Sequence, residues 1–299
     1  MNAKNLHKGI ACMIFSAFSF ALMNLFVRLS GDLPVIEKAF FRNLIAFFVA
    51  LAILRRDRGK IRIGRGNYAS LAVRCIAGTI GIWCNFYAVG VIDLADASIL
   101  NKLSPFFVLL FSWFILNEKC SFFQGSCIAA AFIGALFVIK PGAASMAAGG
   151  IGTWIGALGG LCAGLAYTYV RKLGNGGVPG AVIVVCFSAF SCLASIPFMI
   201  VNFVMPSPAQ LVFLLAAGAA AAGGQFGITA AYTHCPAREV SIYDYSQLIF
   251  STLLGFFVLG ELPDRWSFVG YAVIVAASLV LFLYNNGRIG RRPTEGASE

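Results

Sequence analysis

VRLSG, residues 27–31, closes an apolar run that begins near Gly9, and 143 residues later VRKLG, residues 170–174, closes another. Sliding the whole chain along itself by that one offset, without a gap, aligns much more. Gly9 meets Gly152, Val35 meets Val178, and Ala46-Phe47 meets Ala189-Phe190. Gly81 meets Gly224, Ala88 meets Ala231, Ser98-Ile99 meets Ser241-Ile242, and Glu118 meets Glu261. Single matches are common in an apolar sequence. One shared offset that also superposes the polar junctions marks an internal duplication.

The duplicated material is apolar enough for a membrane. Hydrophobic residues make up 60% of the 299, charged residues 11%, and the mean hydropathy is +0.85; an ordinary soluble domain carries about 25% charged residues. Runs of about 20 apolar residues, the length that spans a bilayer core, fall at 9–28, 35–54, 69–91, 95–116, 121–139, 151–170, 179–204, 210–232, 239–260 and 266–284. The first run, preceded by Lys4 and Lys8, imitates a cleaved signal peptide. Its counterpart at 151–170 argues that it is a structural span instead. The expectation is an all-α integral membrane protein of ten transmembrane helices, with five-helix repeats at 9–142 and 151–284 and a disordered cytoplasmic tail at 285–299. Five is odd, so the repeats lie in opposite orientations around a central cavity. Inverted repeats of this kind recur in secondary transporters, where two similar conformations open to opposite sides.

The net charge of +10 is explained by orientation and calls for no nucleic acid partner. With the N-terminus cytoplasmic, that side receives fifteen Lys and Arg, including Arg55, Arg56, Arg58, Lys60, Arg171 and Lys172. The other side receives Arg28, Lys38, Lys140 and Arg265. Positive charge gathers on the cytoplasmic side of membrane proteins, so the expectation is a multi-pass protein of the cytoplasmic (inner) membrane with both termini cytoplasmic. The nine cysteines show no CxxC or metal spacing and read as packing residues. Trp83, Trp113, Trp154 and Trp266 read as interfacial anchors.

FFRNLIAFF at 40–48, DASILNKLSPFF at 96–107, and the glutamate junctions LNEK at 116–119 and LGEL at 259–262 carry a family likeness. Over residues 9 to 284 the chain resembles the drug/metabolite transporter (DMT) superfamily, and within it the EamA-like family. That resemblance implies a cavity lined by helices one, three, four, six, eight and nine. It leaves the substrate open among amino acids, other metabolites and drugs.

Helical spacing supplies polar faces in the same spans. The fourth offers Ser98, Asn101, Lys102, Pro105 and Ser112; the ninth answers with Ser241, Asp244 and Tyr245 at the repeat offset. The third offers Arg74, Gly78, Gly81 and Asn85, and the eighth Gln225, Thr229 and Tyr232. Asn24 and Tyr167 are equivalent in the repeat. A charge at the bilayer centre costs roughly 2.5–3.5 kcal/mol on insertion scales. Lys102 and Asp244 therefore face ligand or water, or form a salt bridge between the repeats. Arg42 reads either as a ligand contact or as a structural ion pair, and Arg74 as snorkelling to the cytoplasmic surface. Pro105 predicts a kink in the fourth span only, because its repeat partner is Leu248. Gly152, Gly156, Gly160 and Gly164 make a smooth face for close packing or for sliding.

Nothing points to catalysis or to a cofactor. GxSxG, HExxH and Walker A motifs are absent, and the two histidines lie at helix ends. Without a nucleotide motif, the expected activity is gradient-driven or facilitated transport of a small polar metabolite, amino-acid-like, zwitterionic or an organic anion. The candidate substrate-binding residues are Asn24, Arg42, Asn85, Ser98, Asn101, Lys102, Tyr167, Gln225, Tyr232, Ser241, Asp244 and Tyr245. The expected partners are that small-molecule substrate, a proton as the candidate coupling ion, and membrane lipid, with the assembly either monomer or homodimer. Proton-coupled efflux of hydrophobic cations, through Asp244 between Tyr243 and Tyr245, and a non-transporting membrane partner protein are the alternatives.

Overall fold

The computed structural model describes residues 3–56, 63–91, 100–118, 121–139, 150–260 and 265–289. Its first five spans contain α1 (Ala3–Leu29), α2 (Val35–Arg56), α3 (Tyr68–Val91), α4 (Ser104–Leu116) and α5 (Phe122–Ile139). The second five contain α6 (Gly150–Asn175), α7 (Gly180–Asn202), α8 (Pro208–His234), α9 (Ser246–Leu259) and α10 (Arg265–Asn285). No strand occurs among the described residues. Taken singly, α1, α3, α7 and α8 are long and apolar enough to cross a membrane; the remaining spans are recognised through the repeat. Of the expected tail, Asn285 ends α10 and residues 286–289 turn after it, while residues 290–299 lie outside the described residues.

Exposure is inverted relative to a soluble protein. Phe48, Phe114, Leu193 and Phe257 face outward, while Arg42, Arg74 and Lys102 are buried. Lys and Arg are almost never fully buried in water-soluble folds. Trp113, Trp154 and Trp266 also face outward, and Trp83 packs edge-on against Phe198. The described cysteines are free thiols.

Packing couples the repeats helix by helix. α1 lies along α8 and α3 along α6, α2 meets α7, and α5 meets α10. In repeat terms, each first helix packs on the other unit's third, while second meets second and fifth meets fifth. Small residues permit the approach. Ser16 Oγ donates to Gly224 O across α1–α8 at 2.7 Å. Across α3–α6, a Cβ at Gly159 would stand 3.1 Å from Cys84 Cβ and 3.2 Å from Asn85 N. The glycine face of α6 receives the fourth span. A Cβ at Gly160 would collide with Leu100 O, and one at Gly164 would meet Phe107 Cβ at 2.5 Å.

The fourth and ninth spans are both broken, which corrects the expectation of a one-sided kink. Lys102 and Leu103 form a turn before α4. In the ninth span a single helical turn (Ala237–Val240) leads into a 3-10 segment (Ser241–Tyr245) before α9. The two breaks coincide at the repeat offset, and only the fourth contains a proline. Pro105 occupies the first turn of α4, where a missing N–H costs nothing, so it fits the break without being its sole cause. Both spans also end alike. Asn117 (φ 52°) and its repeat partner Gly260 (φ 70°) adopt the left-handed conformation that closes a helix.

Candidate substrate cavity

Irregular backbone at membrane depth is tolerated where it lines a cavity, and the two breaks do so. A cavity of about 830 Å³ runs inward from the α1–α2 turn, where Arg28, Asp32 and Lys38 surround its mouth, to Arg74, Tyr167 and Gln225. All six helices implied by the resemblance contribute. α2 and α7 contribute as well, through Arg42 and Phe187.

Eight of the twelve candidate residues line this space: Asn24, Arg42, Asn85, Asn101, Lys102, Tyr167, Gln225 and Asp244. Tyr232 lies behind the wall, 1% exposed, with its ring stacked on Tyr167 at 5.6 Å. Ser241 and Tyr245 are fully buried and absent from the lining. Three residues per turn bring residues three apart into line, so the 3-10 segment turns Tyr245 away from the line of Asp244, while Ser241 stays on that line one turn away and is buried there. Ser98 lies outside the described residues.

Lys102 and Asp244 form an ion pair between the repeats. The Lys102 ammonium donates to Asp244 Oδ2 at 2.9 Å, to Asp244 O at 3.2 Å and to Gln247 Oε1 at 2.6 Å. Its three hydrogens are thus all engaged by the ninth span. Gln247, the repeat equivalent of Ser104, was within reach of the offset argument and was missed.

The arginines have no such neutralisation. Arg42 Nε points at Met23 Sδ at 3.0 Å, Nη1 donates to Asn43 Oδ1 at 3.2 Å, and the guanidinium stands 5.9 Å from the Phe20 ring centre. Arg74 does not snorkel. Its guanidinium passes over Gly78, one turn further into the membrane, and lies 4.0 Å from the Phe187 ring centre and 5.9 Å from that of Tyr167. A Cβ at residue 78 would occupy the place of Nη1, so the glycine is what lets this side chain turn inward. Arg74 is 2% exposed, and its Nε has no hydrogen-bond partner. Neither arginine is in a salt bridge among the described residues. A buried unpaired charge costs several kcal/mol, whereas a cation–π contact returns about 0.5–2 kcal/mol. Among the described residues neither arginine meets a counter-charge.

At the end away from the α1–α2 turn the protein is closed. Arg171 Nε donates to Glu118 Oε1 at 2.9 Å and Nη1 donates to Thr233 O at 3.3 Å, which ties α6 to the end of α4 and to α8. Cys235 Sγ lies 3.3 Å from Asn5 O beside them.

The sequence profile of the EamA-like transporter family matches twice, at residues 7–140 and 150–283. The chain is 32% identical over 278 residues to a pseudopaline exporter of Pseudomonas aeruginosa, covering 92% of this chain and 96% of that one. It is 24% identical over 289 residues to a riboflavin transporter of Rhizobium johnstonii, covering 95% and 94%. Human solute carrier family 35 member G1 is 25% identical over 286 residues, covering 91% and 78%. A solved crystal structure superposes with a TM-score of 0.80 at 15% identity, over 93% of this chain and 98% of that one.

Proposed function

The chain belongs to the EamA-like transporter family, and from that premise we propose that it moves a small, negatively charged polar metabolite across the inner membrane by alternating access. One observation carries the reading. A cavity at the junction of the repeats opens on the α1–α2 face, is closed at the opposite end by Arg171–Glu118, and among the described residues sets five basic side chains against two acidic ones. The basic residues are Arg28, Lys38, Arg42, Arg74 and Lys102, and the acidic ones Asp32 and Asp244. With the N-terminus cytoplasmic, this conformation faces outward.

The relatives, named as a pseudopaline exporter and a riboflavin transporter, support transport of a metabolite; the charge of the substrate is inferred from the cavity alone. Direction follows the gradient, because alternating access is reversible. Efflux of hydrophobic cations is disfavoured by the basic excess and by the engagement of Asp244 with Lys102. A purely structural partner protein has no use for a charged cavity of this volume. Purified protein in liposomes, screened with labelled amino acids, organic anions and cationic dyes, tests the proposal. Anions or zwitterions are expected to accumulate; movement of the dyes alone would overturn the reading.

A further inference from the structure

We propose that the cavity selects a substrate bearing two carboxylates, one received by Arg42 and the other by Arg74. This rests on the transport reading and narrows it. The Lys102 ammonium is already occupied by Asp244 and Gln247, so its charge is not on offer. Arg42 and Arg74 line the same cavity, are each buried, and make no salt bridge among the described residues. Tyr167 lines the same cavity, with its ring centre 5.9 Å from the Arg74 guanidinium. Two like charges buried in the wall of one cavity favour a ligand that brings two opposite ones.

The repeat supplies an independent argument. At the 143-residue offset Arg42 corresponds to Val185 and Arg74 to Ala217. Glycines, polar junctions and helix ends are shared between the halves, yet these two charges belong to the first half alone. The common scaffold stands without them in the second half, so their place is accounted for by what the cavity holds. A guanidinium presents a planar fork that matches a carboxylate. The cation–π contacts to Phe20, Phe187 and Tyr167 hold each guanidinium at the wall without occupying that fork with an anion.

The test is ligand-dependent thermal unfolding of the purified full-length protein, with succinate, glutarate, adipate and citrate as probes. The controls are succinamate and butyrate, which carry one carboxylate, and glycerol 3-phosphate, which concentrates its charge on one group. The cavity is larger than these probes, so the readout is a ratio of affinities. At least one dicarboxylate is expected to bind tenfold or more tighter than the monocarboxylates. Arg42→Gln and Arg74→Gln should each erase that ratio. Gly78→Ala, which keeps the charge but displaces the guanidinium, should reduce it. The empty Arg74→Gln protein should melt no lower than wild type, because a charge without a counter-charge has been removed. Equal binding of di- and monocarboxylates would overturn the assignment, as would tighter binding of glycerol 3-phosphate. So would an Arg74→Gln protein that melts lower and keeps its preference. Transport of amino acids or monocarboxylates in liposomes would leave the wider reading standing in those cases; failure of every anion and zwitterion to move would remove that reading as well.

Discussion

Lys102 gives all three ammonium hydrogens to one short segment of the opposite repeat, and its substitution should register first as lost stability. Lys102→Met leaves the Asp244 carboxylate buried without a partner, a defect of about 3–5 kcal/mol. Asp244→Leu alone leaves the ammonium stranded to similar effect. The double substitution should regain most of the loss, because no unpaired charge remains. Unfolding of all four proteins in one detergent measures the coupling; independent, additive losses would show that the 2.9 Å contact contributes nothing. The expense of an intramembrane charge made this pair legible in the sequence. Arg74 was legible as a charge but not in its direction. Its depth along α3 suggested the nearer surface, whereas Gly78 opens a path the other way, and only three-dimensional packing shows Phe187 and Tyr167 at its end.

Helical periodicity located the spans but assumed that each was continuous. It therefore placed Ser241 and Tyr245 beside Asp244 on one face, whereas the 3-10 segment keeps only Ser241 in line with Asp244 and turns Tyr245 away. SIYDY contains neither glycine nor proline, so nothing local announces the break. The glycine face of α6 yields a prediction of sign. Gly160→Ala pushes a methyl group onto Leu100 O, and overpacking of this kind typically costs 1–3 kcal/mol. Gly125→Ala in α5 meets no atom within 4 Å and should gain up to about 1 kcal/mol from helix propensity. Paired melting curves check it; equal shifts for both would mean that α6 does not hold the fourth span by close contact.

The apolar runs and the 143-residue offset made the ten spans, the duplication and much of the polar part of the lining readable from the sequence. It did not reveal that Arg171 and Glu118, already known as repeat landmarks, meet each other across the repeats. If that contact holds the closed end, Glu118→Gln should loosen it. In a cysteine-free background, Gln225→Cys, which leaves the Tyr167–Tyr232 stack in place, should then react faster with a hydrophilic thiol reagent applied from the N-terminal side, by severalfold. An unchanged rate would place the closure in the Tyr167–Tyr232 stack instead. Orientation has its own check. Reporter fusions at positions 60 and 175 should read cytoplasmic and one at 207 external; a cytoplasmic reading at 207 would contradict the inverted arrangement.

The exchange of helix partners between the halves also constrains how the molecule is made. Ser16 waits for Gly224, 208 residues later, and Asn5 for Cys235, 230 residues later. At synthesis rates of about 5–20 residues per second, α1 has been exposed for roughly 10–40 s before α8 exists. During that interval the first half carries Arg74 and Lys102 without the Phe187 and Tyr167 rings and the Asp244 carboxylate that later surround them. A nascent five-helix unit is thus an unfinished client of the membrane's insertion and quality-control machinery. Newly made first halves should be degraded when produced alone and rescued when the second half is supplied as a separate chain.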